Sequence, residues 1–379
     1  MKSAITQEVQ PMSQPYWQEI MNRLDSKAER MIAQIGDKCP HFAGEDGKFD
    51  DIASDWWTTG FWPGLLWIMH DMTGKEIYKE AAWHWDGTLE QWFIKPTLEL
   101  HHDVGFQFLP TAVIKHTLTG DEEGLRRGIE AANFLAARYN PAGRFIRAWN
   151  EDKYGWVIID CMLNISLLFW ASKVTGDPRY KHIAISHAET TMQHGIREDG
   201  STKHILSFDA ETGAYLECFG GQGRAPDSSW SRGTSWGLYG FTNTYRHTSD
   251  ERFLNTAKRI AHYFIAALPE DHVPYWDFRL GDDERLFRDS SAAAIAASGL
   301  LELADVVPAA ERSLYAHAAE RILRSLTENY ATWDQPEHEA ILLHGTGSGT
   351  SFIDVSLIYG DYYYVEAIAK LNGWKHRIF

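Results

Sequence analysis

Thr175-Gly176-Asp177-Pro178 stops one helix and starts the next without a spacer. Gly suits the left-handed residue that closes a helix, Asp caps the first turn of its successor, and Pro is best tolerated at the first helical position. The same join recurs as Thr73-Gly74-Lys75, Thr119-Gly120-Asp121 and Thr248-Ser249-Asp250. Upstream of each join the chain is apolar on nearly every side of a helix; downstream it is charged along one face. Worked outward from the joins, the pattern places inner helices near 61–72, 106–118, 161–174, 235–247, 290–304 and 360–371. Outer helices fall near 15–35, 76–93, 122–139, 178–195, 251–268 and 310–329. An apolar helix belongs inside and a one-faced helix outside, so the alternation predicts two concentric layers. The expected fold is all-α, an (α/α)6 barrel or six-hairpin toroid, with one catalytic domain over 15–379 behind a flexible segment, 1–14.

Between each outer helix and the next inner one lie longer irregular segments, which in this arrangement rim one end of the ring. In the longest, 196–234, Lys203 to Phe208 and Ala214 to Phe219 flank a turn at Asp209 to Gly213 and predict a small hairpin.

Composition narrows the function. The 379 residues carry a net charge of −16 and no Lys/Arg cluster, which argues against nucleic-acid binding but leaves room for a small anionic ligand. No apolar run is long enough for a membrane span, and Met1 to Ser13 lacks the apolar core of a secretory signal. Cys39, Cys161 and Cys218 are too few and too scattered for a disulfide framework or a zinc site, so a cytoplasmic protein is expected. The 16 Trp, 16 Tyr and 18 Phe are heavy for a helical protein; most should pack the core, but aromatic faces also stack on sugar rings.

Candidate chemistry lies just ahead of the inner helices: Asp55 with Trp57, His101-His102-Asp103, Asp160, Arg232 with Trp236, Asp289 and Asp361. Any one Asp there could be a simple cap. Asp160, between Trp156-Val157-Ile158-Ile159 and Cys161-Met162-Leu163, sits in apolar surroundings that raise a carboxyl pKa and suit a general acid. Asp103 is its expected partner across the pocket. His204, Gln222 between glycines, and Arg232 are polar groups of the longest rim segment, with Arg232 suited to a substrate carboxylate. Trp57, Trp149 and Trp236 are candidates for sugar stacking. His101-His102-Asp103 lacks metal-ligand spacing, so no metal is expected, and with no phosphate loop or nucleophile elbow no cofactor is expected either.

Several strings agree with one family in order along nearly the whole chain: Trp57-Thr58-Thr59-Gly60-Phe61-Trp62, His101-His102-Asp103-Val104-Gly105-Phe106, Ile158-Ile159-Asp160-Cys161-Met162-Leu163-Asn164, Trp230-Ser231-Arg232-Gly233-Thr234-Ser235-Trp236-Gly237, Tyr275-Trp276-Asp277-Phe278, Arg288-Asp289-Ser290-Ser291-Ala292 and Gly360-Asp361-Tyr362-Tyr363-Tyr364. Together they resemble the unsaturated glucuronyl hydrolases of glycoside hydrolase family 88. The resemblance implies release of 4,5-unsaturated glucuronic acid from the non-reducing end of lyase-made glycosaminoglycan fragments, with the double bond hydrated rather than the glycosidic bond displaced. It implies Asp160 and Asp103 as the catalytic pair, and Trp57, His102, Trp149, His204, Gln222, Arg232 and Trp236 as substrate contacts. Ser348 and Ser351 match a loop that bears Ser and Lys in members favouring sulfated disaccharides, but residues 346–369 hold no Lys or Arg, so sulfate recognition does not carry over. The alternatives are an unsaturated rhamnogalacturonyl hydrolase, a sugar epimerase on a similar toroid, which should rely on paired His, and a non-catalytic sugar-binding toroid. The expected partner is an unsaturated disaccharide or short oligosaccharide, for a monomer or homodimer.

Overall fold

The four joins close as their sequences dictate. Gly74, Gly120, Gly176 and Ser249 take left-handed conformations with φ between 57° and 74°, each returning its backbone N–H to the carbonyl four residues back. Asp121, Asp177 and Asp250 cap the following outer helices through Gly124 N–H, Arg179 N–H and Arg252 N–H. In this computed structural model, which describes residues 14–379, the expected segment 1–14 therefore lies outside the described residues except for Gln14, which opens the first outer helix, Gln14–Ile35.

The inner helices are Phe61–Thr73; Val104–Phe108 continued through a π-turn at Leu109–Val113 into Ile114–Thr119; Cys161–Asn164 with Ser166–Thr175; Ser231–Thr248; Ser290–Val306; and Ile358–Leu371. Pro110 removes a donor in the second of these, and the π-turn absorbs the missing bond. Outside them run Gln14–Ile35, Glu76–Ala82 with Trp85–Glu90, Glu122–Ala137, Pro178–Gly195, Glu251–Ala267 and Ala309–Ser325. The expected continuous helix 76–93 is broken at Trp83 and His84. The inner helix expected from 235 begins at Ser231, because Trp230 rather than a rim loop forms its cap position.

Ring closure, which local pattern cannot reveal, comes from the last inner helix packing on Phe61–Thr73 and from the antiparallel pairing of Phe42–Ala43 with Ser356–Leu357. Apolar side chains fill the ring in one continuous core. Among the described residues no helix is long and apolar enough to cross a membrane.

The expected hairpin is present as Ile205–Phe208 and Tyr215–Phe219, and a third strand, Trp156–Ile158, pairs with the first of these: Val157 opposite Leu206, Ile158 opposite Ile205. This small sheet has a chemical consequence. Its register sets Ile159 N–H on the His204 carbonyl at 3.1 Å, so Asp160 and His204 emerge side by side.

Candidate active site

A cavity of about 450 Å³ opens at the end of the ring where the inner helices begin. That volume suits a disaccharide-sized ligand. Asp103 and Asp160 both line it, with Trp57, Trp149, Gln222, Arg232 and Ser351. Asp103 and Asp160 occupy helix N-cap positions, yet neither side chain caps its helix, so both carboxyls are left for the pocket.

The two are coupled through Asn164, whose amide donates to Asp103 Oδ1 at 2.9 Å and to the Asp160 carbonyl at 3.2 Å. The Asn164 side-chain Oδ1 accepts Phe106 N–H at 2.8 Å, pinning one catalytic helix to the other. That approach is close enough to require Gly105: a Cβ there would stand 2.6 Å from Asn164 Oδ1 and 2.7 Å from its backbone. Gly105→Ala should therefore push the two helices apart, costing about 1–3 kcal/mol in a denaturant titration and at least tenfold in kcat.

Burial dominates the electrostatics. It pushes Asp160 up to about 7, opposed by the positive charge of Arg232. It raises Asp103 well above the usual carboxylate range, reinforced by the charge of Asp160 and opposed by the Asn164 hydrogen bond. The pair thus retains a proton near neutrality. Asp160 Oδ2 has no hydrogen-bond partner of its own, and His204 Nε2 stands 3.6 Å away, equally unpartnered. His204 is neutral, its pKa lowered by burial to about 3. His204 Nδ1 lies 2.9 Å from Gln222 N–H and 3.2 Å from the Gly220 carbonyl; the shorter contact, in which Nδ1 accepts, favours the tautomer with its proton on Nε2, facing Asp160. The glycines around Gln222 serve this contact: a Cβ on Gly221, at φ +59°, would lie 2.2 Å from His204 Nδ1.

Several expectations need correction. Trp236 has no exposed surface and cannot stack on a sugar; it packs on Phe106 and Tyr363 at 4.9 and 5.4 Å between ring centres. Its indole N–H instead approaches the Asp160 carboxyl, favouring the charged form without closing a well-formed hydrogen bond. His102 is fully buried behind Asp103, Nδ1 to Oδ1 3.4 Å, and it is His101 that reaches the cavity wall. Ser348 turns inward to Ser351 Oγ at 2.9 Å, leaving only Ser351 on the cavity. Arg232 lies in the first helical turn rather than in a loop, and two of its three guanidinium nitrogens are taken. Nη1 donates to Asp289 at 3.1 Å and to the Thr346 carbonyl at 3.1 Å, Nη2 donates to the Gly347 carbonyl at 3.0 Å, and Nε is left without a partner. Asp289 is thus an N-cap and ion-pair partner, and Asp361 is bound by Ile341 and Leu342 N–H, so neither is a free carboxylate. Asp55 accepts from Thr97 and ties the rim segments together.

Sequence reasoning passed over Asn164 as the bridge, Tyr359 beside Trp57 at 4.9 Å, and His41, neutral with its pKa lowered by burial to about 4; both Tyr359 and His41 line the cavity. His101, His102 and Asp103 bring one ligand atom each within 4.8 Å, closer than adjacent positions led us to expect.

A helical toroid whose inner-helix entrances hold a proton-retaining carboxyl pair in an aromatic-walled, disaccharide-sized cavity defines a carbohydrate-active enzyme. The comparisons narrow it further: residues 24–379 match the model of Glycosyl Hydrolase Family 88. The chain belongs to that family and is a glycoside hydrolase. It is similar to the unsaturated glucuronyl hydrolase of Bacillus sp. strain GL1, at 35% identity over 94% of this chain and 97% of the relative. The crystal structure of that enzyme superimposes with a TM-score of 0.91 over the same shares. An unsaturated chondroitin disaccharide hydrolase of Streptococcus pneumoniae is 40% identical over 83% of this chain and 81% of its own.

Proposed function

We propose that the protein releases 4,5-unsaturated glucuronic acid from the non-reducing end of lyase-generated glycosaminoglycan oligosaccharides. The observation that carries this reading is the unpartnered Oδ2 of a buried, proton-retaining Asp160, opposite the amide-held Asp103 in one cavity. Support comes from relatives named for this activity, and from a Streptococcus agalactiae relative solved with dGlcA-GalNAc6S, at TM-score 0.83, 30% identity and coverage of 97% of this chain and 94% of that one.

The unsaturated sugar is a vinyl ether, nucleophilic at C4. Asp160 delivers its proton to C4, leaving an oxocarbenium ion shared between C5 and the ring oxygen. The resulting carboxylate takes a proton from water as that water adds to C5. The hemiketal so formed opens to a C5 ketone, and the hemiacetal left at C1 expels the partner sugar, so one water is consumed and the glycosidic bond is cleaved without direct displacement. Asp103, held by Asn164, binds ring hydroxyls and keeps the pair's shared proton in play. The Nε2–H of His204 faces the Asp160 carboxylate as it forms, Arg232 adds positive charge at the wall, and Trp57, Trp149 and Gln222 frame the sugar.

Hydration removes the conjugated enoate, so addition of enzyme to a lyase-made chondroitin or hyaluronan disaccharide should erase its ultraviolet absorbance. An unchanged signal across sulfated and unsulfated glycosaminoglycan disaccharides, with loss on pectin-derived ones, would move the assignment to rhamnogalacturonyl substrates.

A further inference from the structure

The segment after the last inner helix takes no part in the cavity, yet it is fastened across the opposite end of the ring. Trp374 donates its indole N–H to Asp71 at 2.8 Å, Arg377 binds Glu302 at 2.8 Å and Asp305 at 3.0 Å, and Arg246 donates to the Phe379 carbonyl at 2.7 Å. Asp71, Glu302 and Arg246 lie near the finishing ends of three different inner helices. The effect is to drive the Phe379 ring up inside the barrel, where it is 1% exposed and lies 5.9, 5.9 and 5.6 Å from the rings of Phe106, Tyr362 and Tyr363.

Those neighbours connect Phe379 to the chemistry. Phe106 stands on the helix that Asp103 opens and touches Trp57 of the cavity wall at 5.7 Å. Phe106 and Tyr363 are also the rings against which Trp236 rests, and the Trp236 indole N–H is near enough to Asp160 to favour its carboxylate without closing a hydrogen bond. A column therefore runs from Phe379 through Phe106 and Tyr363 to Trp236 and the proton donor. We propose that Phe379 is a positioning residue for the reaction: a plug, inserted from the far mouth, that fixes the tilt of Phe106 and Trp236 and through them the Asp160 carboxyl.

This inference rests on Asp160 as the proton donor, which wild-type turnover of an unsaturated disaccharide and its loss in Asp160→Asn establish separately. The test compares Phe379→Ala, Phe379→Leu and the control Phe253→Ala, which empties a buried aromatic site on the outer helix Glu251–Ala267. The void left by Phe379→Ala removes the support beneath Phe106 and Tyr363, so the operative change is freedom of these rings and, through them, of Trp236. With KM within about twofold, kcat should fall about tenfold, as expected when a reacting group is misplaced. The alkaline limb of the kcat profile should move to higher pH, because the Trp236 N–H that favours the Asp160 carboxylate is no longer held. Phe379→Leu should recover most of kcat, and Phe253→Ala should lose thermal stability while keeping the wild-type kcat and limb. If Phe379→Ala matches Phe253→Ala in kcat and limb, the proposal is overturned. Should Phe379→Ala not fold, a Phe379→Leu variant with both wild-type kcat and a wild-type limb overturns it, and a smaller shift in the same direction supports it.

Discussion

Asp160→Asn is expected to lower kcat by about 10³-fold while the protein unfolds at nearly the wild-type temperature. The fold should tolerate the change because Asp160 neither caps its helix nor holds a full ion pair, and an amide matches the neutral carboxyl in shape. The reaction should not tolerate it, because the amide cannot give a proton to C4 and general acid transfer alone is worth about 10²–10⁴-fold. The wild-type pH profile carries the same signature. Burial holds the Asp160 carboxyl at about 7, so the proton-bearing form predominates below that pH and kcat should decline as pH rises through it. A profile rising across this range would reverse the proton's direction of travel. An Asp160→Asn variant of wild-type activity would remove the residue from the chemistry.

The fold was legible where the information was local. Thr-Gly-Asp joins dictate left-handed stops and caps wherever they stand: all four joins close left-handed, and the three that carry Asp cap the next helix. Helix faces read equally well, because an apolar circumference has no stable place but the interior. Closure by Phe42–Ala43 on Ser356–Leu357, and the pairing of Trp156–Ile158 with Ile205–Phe208, were not legible, since both join segments far apart in the chain. The latter brings His204 to Asp160, so a feature of the site inherited the same blindness.

Among the acidic residues ahead of inner helices, the distinction between cap and free carboxyl turned on backbone detail. Asp289 rotates onto Ser291 N–H, whereas Asp103 and Asp160 do not cap at all. Apolar flanks marked Asp160 correctly as a raised carboxyl because desolvation is its largest cause. The same flanks could not show that Trp236 faces Asp160 from beneath rather than a sugar from above, because a buried and a wall Trp read alike in sequence. The buried partners of Arg232 escaped notice for a related reason. A fork suited to a substrate carboxylate suits Asp289 and backbone carbonyls equally well.

That buried pair carries a large expected stability effect. Arg232 and Asp289 are both nearly inaccessible, and Asp289 also accepts from Ser291 N–H at 3.1 Å and Ser291 Oγ at 2.5 Å. Asp289→Ala would leave the guanidinium charged in a low-dielectric wall with carbonyls, one hydroxyl and the Trp230 and Tyr359 rings around it but no carboxylate in contact, and would uncap the helix Ser290–Val306. Breaking a buried pair from one side costs about 3–5 kcal/mol, most of it the uncompensated charge. A urea titration should show a loss of that size. Arg232→Met in the Asp289→Ala background should recover part of it, because an apolar chain of similar length removes the stranded charge. Activity should not return with stability, since Arg232 Nη2 holds the Gly347 carbonyl and its charge opposes the rise of the Asp160 pKa. A double variant as inactive as it is stable would separate the two tasks of this arginine: balancing Asp289 within the wall, and shaping and charging the cavity in front of it.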